Sequence, residues 1–480
     1  MIPDSELVRE RKVKRENLLK ERVSPYGGRF LPIESISGVL GKFEEGNRVR
    51  LAGRIMARRS HGKSTFCDLK DASAKIQIYT KEELLGAKDY EGFAQLDLGD
   101  IVGVEGSLFV SRMGERTVKV EKFTLLSKII RVLPEKWHGL KDVEIRYRHR
   151  YVDLIVNDEV RKTFLLRSEI VREIRRFLDD RGFLEVETPM MQPIPGGARA
   201  KPFVTHHEAL HTDLFLRVAP ELYLKRLLVG GMEKIYEINR NFRNEGISIR
   251  HNPEFTMLEL YQAYADYSDM MSLTETLIAH LVNKIHGKDE LTYGERTISF
   301  KTPWKRVSFF KALEEKTNVD WRKADIKKEA KRLRIDFQKE DETIDVLNAV
   351  FETVVEPDLW DPTFVIDYPA ELTPLAKPQD HDPALVYRFE LYIAHIEMAN
   401  AFSELNDPVI QRDRLEKQME IIGGSKKVDE DFLMALEYAM PPAGGLGIGI
   451  DRLVMILTNR PSIREVILFP QLRPEVKEKE

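Results

Sequence analysis

The sequence predicts an α+β protein: a small five-stranded barrel, then a larger domain that combines strands with long helices. Three observations predict it. Residues 47–130 fall into short runs of alternating apolar and polar residues separated by turns. Beyond residue 146, helical apolar spacing recurs between strand-like segments. Near the C-terminus, at residues 443–452, glycine alternates with apolar residues and then gives way to a helix.

Taken in order, residues 5–23 are dense in both signs of charge and read as an exposed helix, either a solvated face or an arm that touches a polyanion. The runs Val49–Met56, Ser64–Leu69, Ala74–Tyr79, Asp100–Val110 and Thr117–Val120 then alternate as strands, with a polar, helical stretch before the fourth. Five short strands with that insertion match the OB barrel, which often binds oligonucleotides. A charged, aromatic connector occupies 131–150 and contains Pro134 and Trp137. Val160, Phe164, Ile170, Ile174, Phe177 and Leu178 keep helical spacing up to Arg181-Gly182, a helix stop. Phe183–Pro189 reads as a strand ended by proline. Residues about 265–375 carry several helical patterns and read as a helical insertion; strands return at 386–405. The domain expectation is an extension over 1–30, the barrel with its connector over 31–145, and the larger domain over 146–480.

A chain of 480 residues can bury a core in each part, and its net charge of −4, with 32% charged residues, excludes a uniformly basic nucleic-acid coat while allowing a local patch. The single cysteine, Cys67, excludes an intramolecular disulfide and fits a reducing compartment. No run approaches the roughly 18 apolar residues of a membrane helix, and the N-terminus has no apolar signal core. The expectation is a soluble cytoplasmic protein with no membrane partner.

Chemistry concentrates around Phe242-Arg243-Asn244-Glu245. Arg243 and Glu245, read as strand residues, share a face, and the arginine fork matches phosphate or carboxylate. After the polar loop 246–253 the chain returns with Phe255, Met257, Glu259 and Tyr261 on one face. Such a face suits a nucleotide plus a charged small molecule. The glycine strand before Arg452 lets a flat base approach the backbone, and Arg452 enters the first helical turn, where anions are favoured; a tightly packed strand with a surface arginine explains that segment equally well. It is neither a P-loop nor a Rossmann fingerprint. Glu390 and Glu397, among apolar neighbours, are candidate ligands of a divalent cation. Asn400, Phe402 and Glu404 alternate on one strand face, and Glu221, Glu259 and Glu404 supply three acids for a cationic substrate. Any one of these acids is more readily a structural salt bridge; their joint presence weakens that reading. His206, His207 and His211 have no metal-ligand spacing and read as loop histidines. No nucleophile elbow or Cys/His pair implies a covalent intermediate.

These residues carry a resemblance over nearly the whole chain to class II lysyl-tRNA synthetases. Gly182–Pro189 resembles motif 1 of that class, Phe242–Glu245 through Phe255 motif 2, and Gly445–Arg452 motif 3. Ala219–Lys225, Glu259–Tyr261 and Asn400–Asp407 resemble the lysine-specific segments. The resemblance implies a catalytic domain on an antiparallel sheet flanked by helices, an OB-fold anticodon-binding domain, and a homodimer formed by motif 1 around Pro189. It implies that lysine is activated by ATP to lysyl-adenylate, releasing pyrophosphate, and passed to the 3′ end of tRNA(Lys). Arg243 would hold the α-phosphate and the lysine carboxylate; Glu245, His251 and Asn252 would contact ATP; Phe255 and Arg452 would sandwich adenine. Glu390 and Glu397 would carry Mg²⁺, with up to about three ions per subunit. Gly197 and Glu221 would meet the α-amino group, Asn400 the carboxylate, and Glu259, Tyr261 and Glu404 the ε-ammonium, with Phe402 along the stem. Arg58, Phe66, Gln77 and Glu115 fall where the family reads the anticodon, and an aromatic stacker with polar edge-readers is what single-stranded RNA needs.

Bacterial members usually read Gly-Gly-Arg-Glu where this chain has Ala394-His395-Ile396-Glu397. That departure puts the local hairpin, and any ATP or tRNA contact there, in question. Ala401 replaces a glycine usual in bacterial members, a change the eukaryotic members share. The rival readings are the same fold acting on another amino acid, a ligase that lysylates a protein, and a non-catalytic RNA-binding scaffold.

Overall fold

The computed structural model describes residues 5–134, 142–198, 200–422 and 428–474. The chain divides into two compact units, Met1–Lys141 and Asp142–Glu480. The middle of the expected connector, with Trp137, lies outside the described residues; short helices Val143–Arg148 and Arg150–Val156 follow it.

In the first unit, the described strands β1 (Arg48–His61), β2 (Ser64–Lys70), β3 (Lys75–Lys81), β4 (Ile101–Val110) and β5 (Arg116–Ser127) close a barrel in the order β1-β2-β3-β5-β4. Alternation sets the inside: Leu51, Ile55, Cys67, Leu69, Ile78, Val102, Val104, Val118 and Val120 are buried together. Cys67 packs as a small hydrophobe, and burial pushes its thiol up to about 12, so it is inert at neutral pH. The N-terminal helix Glu6–Lys20 is largely exposed, as the sequence suggests, but one side of it docks. Val8 and Arg11 are buried; Arg11 donates to the Arg131 carbonyl at 2.6 Å, and Lys14 reaches Asp97 at 2.7 Å. Asp97 and Asp100 also share the buried Lys128. Two of the helix cations are therefore spent on docking.

The second unit is built on an eight-stranded sheet of described residues. Its strands are β6 (Leu184–Glu185), β10 (Lys234–Phe242), β11 (Glu254–Ala263), β14 (Lys305–Ser308), β15 (Thr363–Pro369), β16 (Leu385–Ile393), β17 (Ile396–Ser403) and β18 (Ala443–Gly449). Numbers β7 (Met191–Gln192), β8 (Val204–His207) and β9 (Thr212–Leu216) belong to a three-stranded sheet, and β12 (Glu290–Tyr293) with β13 (Arg296–Ser299) to a hairpin. The order is β14-β15-β16-β17-β18-β11-β10-β6; the six central strands are antiparallel, and only the edges, β6 on β10 and β14 on β15, are parallel. The segment 265–375 is helical only in part: it also supplies β12 to β15, and β15 enters the main sheet beside β16. Its strands are short and lie between charged helical stretches, which hid them from a periodicity argument.

Helices Asp158–Asp179, Tyr267–His286 and Ile450–Leu457 cover one face of the sheet. The second starts at a full capping box, Asp266 with Asp269, which satisfies two otherwise orphaned N–H groups. Ile174, Phe177, Leu277, Leu281, Val454 and Met455 bury their side chains between these helices and the sheet, each contributing about 1.5–3 kcal/mol. The opposite face is left for the site. Among the described residues no helix is long and apolar enough to cross a membrane.

Candidate active site

The site's floor is the middle of the sheet, where β18 runs between β11 and β17. Gly445 pairs with Tyr261 on one side and Phe402 on the other; Gly447 pairs with Glu259 and Asn400. Directly paired residues share a face, so one face collects Tyr261, Glu259, Phe402 and Asn400 around a strip without side chains. A Cβ on Gly445 would stand 1.8 Å from Glu404 Oε1 and 2.6 Å from the Tyr261 ring, so only glycine fits. Above this floor lies a cavity of about 1030 Å³.

At one end of the cavity are the acids. Glu221 opens the helix Glu221–Val229, and Gly197, at φ +89°, passes close enough that a Cβ there would meet Glu221 Cβ at 3.2 Å. Glu259, Glu404 and Glu221 are all buried, and so is Lys225 one turn after Glu221. Lys225 Nζ donates to Glu221 at 2.8 Å and forms an ion pair with Glu404. Burial opposes the Lys225 charge, but Glu221 and Glu404 outweigh it and hold its pKa above the ordinary value. One ammonium does not balance three acids. Burial first, and Glu221 next, push the Glu259 carboxyl up to about 8. Burial pushes Glu404 to about 8 as well, with Lys225 opposing and Glu221 adding to the rise. Glu404 Oε1 has no hydrogen-bond partner, and the Tyr261 hydroxyl only grazes Glu259 at 3.4 Å. Burial and Glu221 also raise Tyr261 well above its usual range, so it stays a neutral donor. Phe402 lies beside this cluster, its ring 5.5 Å from Lys225 Nζ.

At the other end lie the groups for an anion and a flat ring. β10 ends at Phe242, so Arg243 and Glu245 stand in the loop after the strand rather than on it, with the Arg243 N–H still donating to Pro253 at 2.9 Å. The Arg243 guanidinium lies 5.1 Å from the Phe255 ring centroid, and its buried Nε has no partner. Facing it, Arg452 donates to the Glu397 carbonyl at 2.8 Å, to Glu397 Oε2 at 3.2 Å and to His251 Nε2 at 3.2 Å. His251 Nδ1 meets Ser248 Oγ at 3.0 Å. Burial, then the Arg452 charge, lowers the His251 pKa, which keeps the ring neutral at pH 7. Glu245 lines the cavity and is exposed. Asn252 also lines it, but both ends of its amide are engaged, one on the Glu254 carbonyl at 2.6 Å and one by the Gln471 N–H at 3.0 Å.

Glu397 belongs to this face because β17 is irregular. Asn400 pairs with Glu390 and Ala399 with Leu391, but Tyr392 pairs with Glu397, so one extra residue, Met398, is taken up as a bulge. Strict alternation would have turned Glu397 into the core. Glu390, paired with Asn400, is on the same face but does not line the cavity: its Oε2 accepts from the Tyr368 and Tyr392 hydroxyls at 2.7 Å each, and Arg388 pairs with Oε1. Burial first raises its pKa, and the Glu397 charge adds to that rise. Two facing carboxylates with residual mutual repulsion are a donor set that a hard divalent cation would relieve. The questioned hairpin also survives. Ala394 and His395 take φ of 50° and 61°, a two-residue turn closed by the Ile393–Ile396 pair. Their N–H groups donate to Trp360 and Leu359 at 2.8 and 3.0 Å, which offsets the cost of left-handed backbone without glycine.

In the barrel, Phe66 pairs across strands with Tyr79 at a ring distance of 4.6 Å, and Phe109 continues the row at 5.9 Å from Tyr79. Gln77 bonds to Glu115 on the same side. Arg58 does not join them. It pairs in register with Cys67, while Arg59 pairs with Phe66, and its guanidinium donates to the Ala94 and Leu96 carbonyls.

Sequence reasoning missed Lys225, the internal cation of the acidic end, and Arg388, which joins Asn400 (3.1 Å) to Glu390. Arg388, Glu390 and Tyr392 at period two was a legible signal. Lys225, one helical turn from Glu221, was another. Tyr79 and Phe109 were visible as strand aromatics but were given no role.

Comparison with known proteins agrees with this geometry. Residues 142–473 match the family of tRNA synthetases class II (D, K and N), and residues 49–126 match the OB-fold nucleic acid binding domain. The chain is 57% identical over 482 residues to the lysine–tRNA ligase of Carboxydothermus hydrogenoformans, covering 98% of each chain. It is 55% identical to that of Pelotomaculum thermopropionicum, covering 98% of this chain and 95% of the relative. It is 49% identical to that of Bacillus subtilis, covering 96% of each. An OB barrel ahead of a sheet whose glycine floor lies between buried acids and two arginines is thus matched along its length, and the chain belongs to the lysine–tRNA ligases among the class II aminoacyl-tRNA synthetases.

Proposed function

We propose that the protein activates L-lysine with ATP and transfers it to the 3′ end of tRNA(Lys), with the cavity residues in the following roles. The observation that carries the lysine assignment is the charge imbalance at the acidic end: the buried Glu221, Glu259 and Glu404 share one ammonium, Lys225, and Glu259 and Glu404 are pushed up to about 8. A buried carboxylate without a partner is costly, and the substrate's ε-ammonium would supply one, received by Glu259, Tyr261 and Glu404 with Phe402 along its stem. Glu221 and Gly197 suit the α-amino group, and Asn400, steadied by Arg388, suits the carboxylate. An aspartate substrate would meet three acids and be repelled, and an uncharged analogue would leave them unpaired.

Arg243, with its unpartnered Nε, suits both the α-phosphate and the lysine carboxylate, drawing the two reacting atoms together. The carboxylate oxygen attacks the α-phosphorus in line, the bond to the bridging oxygen breaks, and pyrophosphate leaves. The terminal ribose hydroxyl of tRNA then attacks the adenylate carbonyl and AMP leaves. Neither step needs a protein nucleophile; Arg243 and Arg452 stabilise the developing charge. Phe255 and Arg452 suit the two faces of adenine, with Glu245, His251 and Asn252 around the rest of ATP. Glu390 and Glu397 would hold Mg²⁺, which when bound offsets the charge of the triphosphate; a count of up to about three ions per subunit is part of the same reading.

Phe66, with Gln77, Glu115 and Arg58, is proposed to take the anticodon; Arg58 must first leave the Ala94 and Leu96 carbonyls. A homodimer through the region around Pro189 would cover Leu184, Met190 and Met191, each about half exposed. The lone buried Cys67 fits a cytoplasmic site of action. ATP–pyrophosphate exchange measured against each amino acid tests the whole: exchange with lysine is expected, and exchange with aspartate or asparagine instead would overturn it.

A further inference from the structure

The turn at Ala394-His395 is tied to the nucleotide end of the cavity through one side chain. His395 Nδ1–H donates to the Glu356 carbonyl at 3.3 Å, and the His395 ring packs on Trp360 at 5.1 Å. Trp360 is itself held, its Nε1 on the Thr297 carbonyl at 2.8 Å and its ring under Arg296 at 4.0 Å. The short helix Glu356–Asp358 is thereby braced from the hairpin side. Its Glu356 carboxylate accepts from Arg250 Nη1 at 3.0 Å. Arg250 belongs to the 246–253 loop, lines the cavity, and precedes His251, which faces Arg452. The loop is also held by backbone bonds, Ile463 N–H to Ile249 at 2.8 Å and Ser248 N–H to His251 at 3.1 Å, and by the contact of His251 with Arg452 at 3.2 Å. The Arg250–Glu356 pair joins one loop side chain to the short helix Glu356–Asp358 at 3.0 Å, with the Glu356 carboxylate only 18% exposed.

We infer that Glu356 is a positioning residue for ATP, holding Arg250 and with it the 246–253 loop against the cavity, and that the His395 turn fixes where Glu356 stands. The inference rests on the proposed reaction for its assay but not for its geometry. A charge-assisted bond shielded to this degree orders a loop before the ligand arrives, which removes part of the ordering cost from ATP binding. Glu390 and Glu397 lie close by, but neither makes this bond, so the effect is on the loop and not on the acids at the phosphate end.

The test is ATP–pyrophosphate exchange at saturating lysine with ATP varied, together with calorimetric titration of ATP alone, on the full chain. Glu356→Gln is expected to raise the ATP KM about tenfold with kcat and the lysine KM within about twofold, while the melting temperature stays put. Glu356→Asp, which keeps the charge, should recover part of the loss, and His395→Gly should raise the ATP KM about threefold. An unchanged ATP KM in Glu356→Gln, or equal rises for ATP and lysine, overturns the inference. A chain that exchanges with a different amino acid, yet loses ATP affinity in Glu356→Gln, would sustain the loop argument and sink the lysine assignment.

Discussion

The cavity of the second unit and the aromatic face of the barrel prepare for their ligands in opposite ways. In the cavity the polar groups are buried and incompletely matched: Arg243 Nε and Glu404 Oε1 have no partner, and Glu259 and Glu404 titrate near 8. On the barrel the corresponding groups are already matched to one another, Gln77 to Glu115 and Arg58 to two carbonyls, and the Phe66 ring is only half buried. A preorganised, unbalanced pocket gains the full difference when its ligand arrives. A self-satisfied surface exchanges one set of bonds for another and gains little beyond stacking. Substitutions in the cavity should therefore cost orders of magnitude, and those on the barrel about tenfold.

The strongest way to break that contrast is Arg243→Ala. In the proposed reaction Arg243 touches both reacting partners, so its removal should lower lysine-dependent exchange by at least about 10³-fold, roughly 4 kcal/mol. The fold and anticodon binding should be unaffected, as read by circular dichroism and tRNA retention. A loss of only tenfold would place the cavity in the same class as the barrel. Next comes Lys225→Met. Breaking a buried pair leaves Glu404 and Glu221 without their internal cation and costs about 3–5 kcal/mol. A drop in melting temperature is expected, with a lysine KM raised about a hundredfold. If added lysine restored the melting temperature fully, the substrate's own ammonium could stand in for Lys225, and Lys225 would not be needed to hold the two acids apart.

The imbalance also sets a pH dependence. Glu259 and Glu404 titrate near 8 in the empty fold and near 4.3 in an unfolded chain. Between those values the folded state binds more protons than the unfolded one, so their contribution to stability is greatest at low pH and declines as pH rises toward 8. Lysine needs both acids ionised, so its binding must expel protons. Its affinity should climb as pH rises from 6 to 8, by up to about tenfold per unit for each proton released, and then level off. Calorimetry at pH 7 in buffers of different ionisation enthalpy reads that release directly. Binding without proton release would mean that the acids are ionised in the empty cavity, and the contrast with the barrel would narrow.

Much of the cavity was legible in the sequence because it is built from strands whose period is two. Phe255, Glu259 and Tyr261 kept strict alternation on β11, and Asn400, Phe402 and Glu404 continued it from β17, so their common face followed from spacing alone. What escaped was whatever broke the period or paired across long separations. The bulge at Met398 turned Glu397 toward the site, a parity change that no count of residues announces. The ion pair of Lys225 with Glu404 spans strand and helix far apart in the chain. The strands inside 265–375 were too short to outweigh the helical patterns around them. On the barrel, the resemblance grouped Arg58 with Phe66, but the register, which shifts between Ile55 and Ala57, places Arg59 opposite Phe66.

That shift gives the smallest and sharpest test. Phe66→Ala removes one stacking ring and should raise the tRNA KM about tenfold, within the 1–3 kcal/mol typical of a base on an aromatic, while leaving lysine-dependent exchange without tRNA unchanged. Tyr79 lies 4.6 Å from Phe66 and keeps part of the platform, which is why the loss should fall at the lower end of that range. Arg58→Ala and Arg59→Ala then separate two accounts of the neighbouring cation. If Arg58 leaves its carbonyls to meet RNA, Arg58→Ala weakens aminoacylation about threefold or more and lowers the salt dependence of tRNA binding. If the register governs, Arg59, already on the Phe66 face and paired to Asp68 at 3.3 Å, shows that effect and Arg58 costs only barrel stability. The two variants, measured side by side at two salt concentrations, decide whether the barrel surface rearranges on binding or reads RNA as it stands.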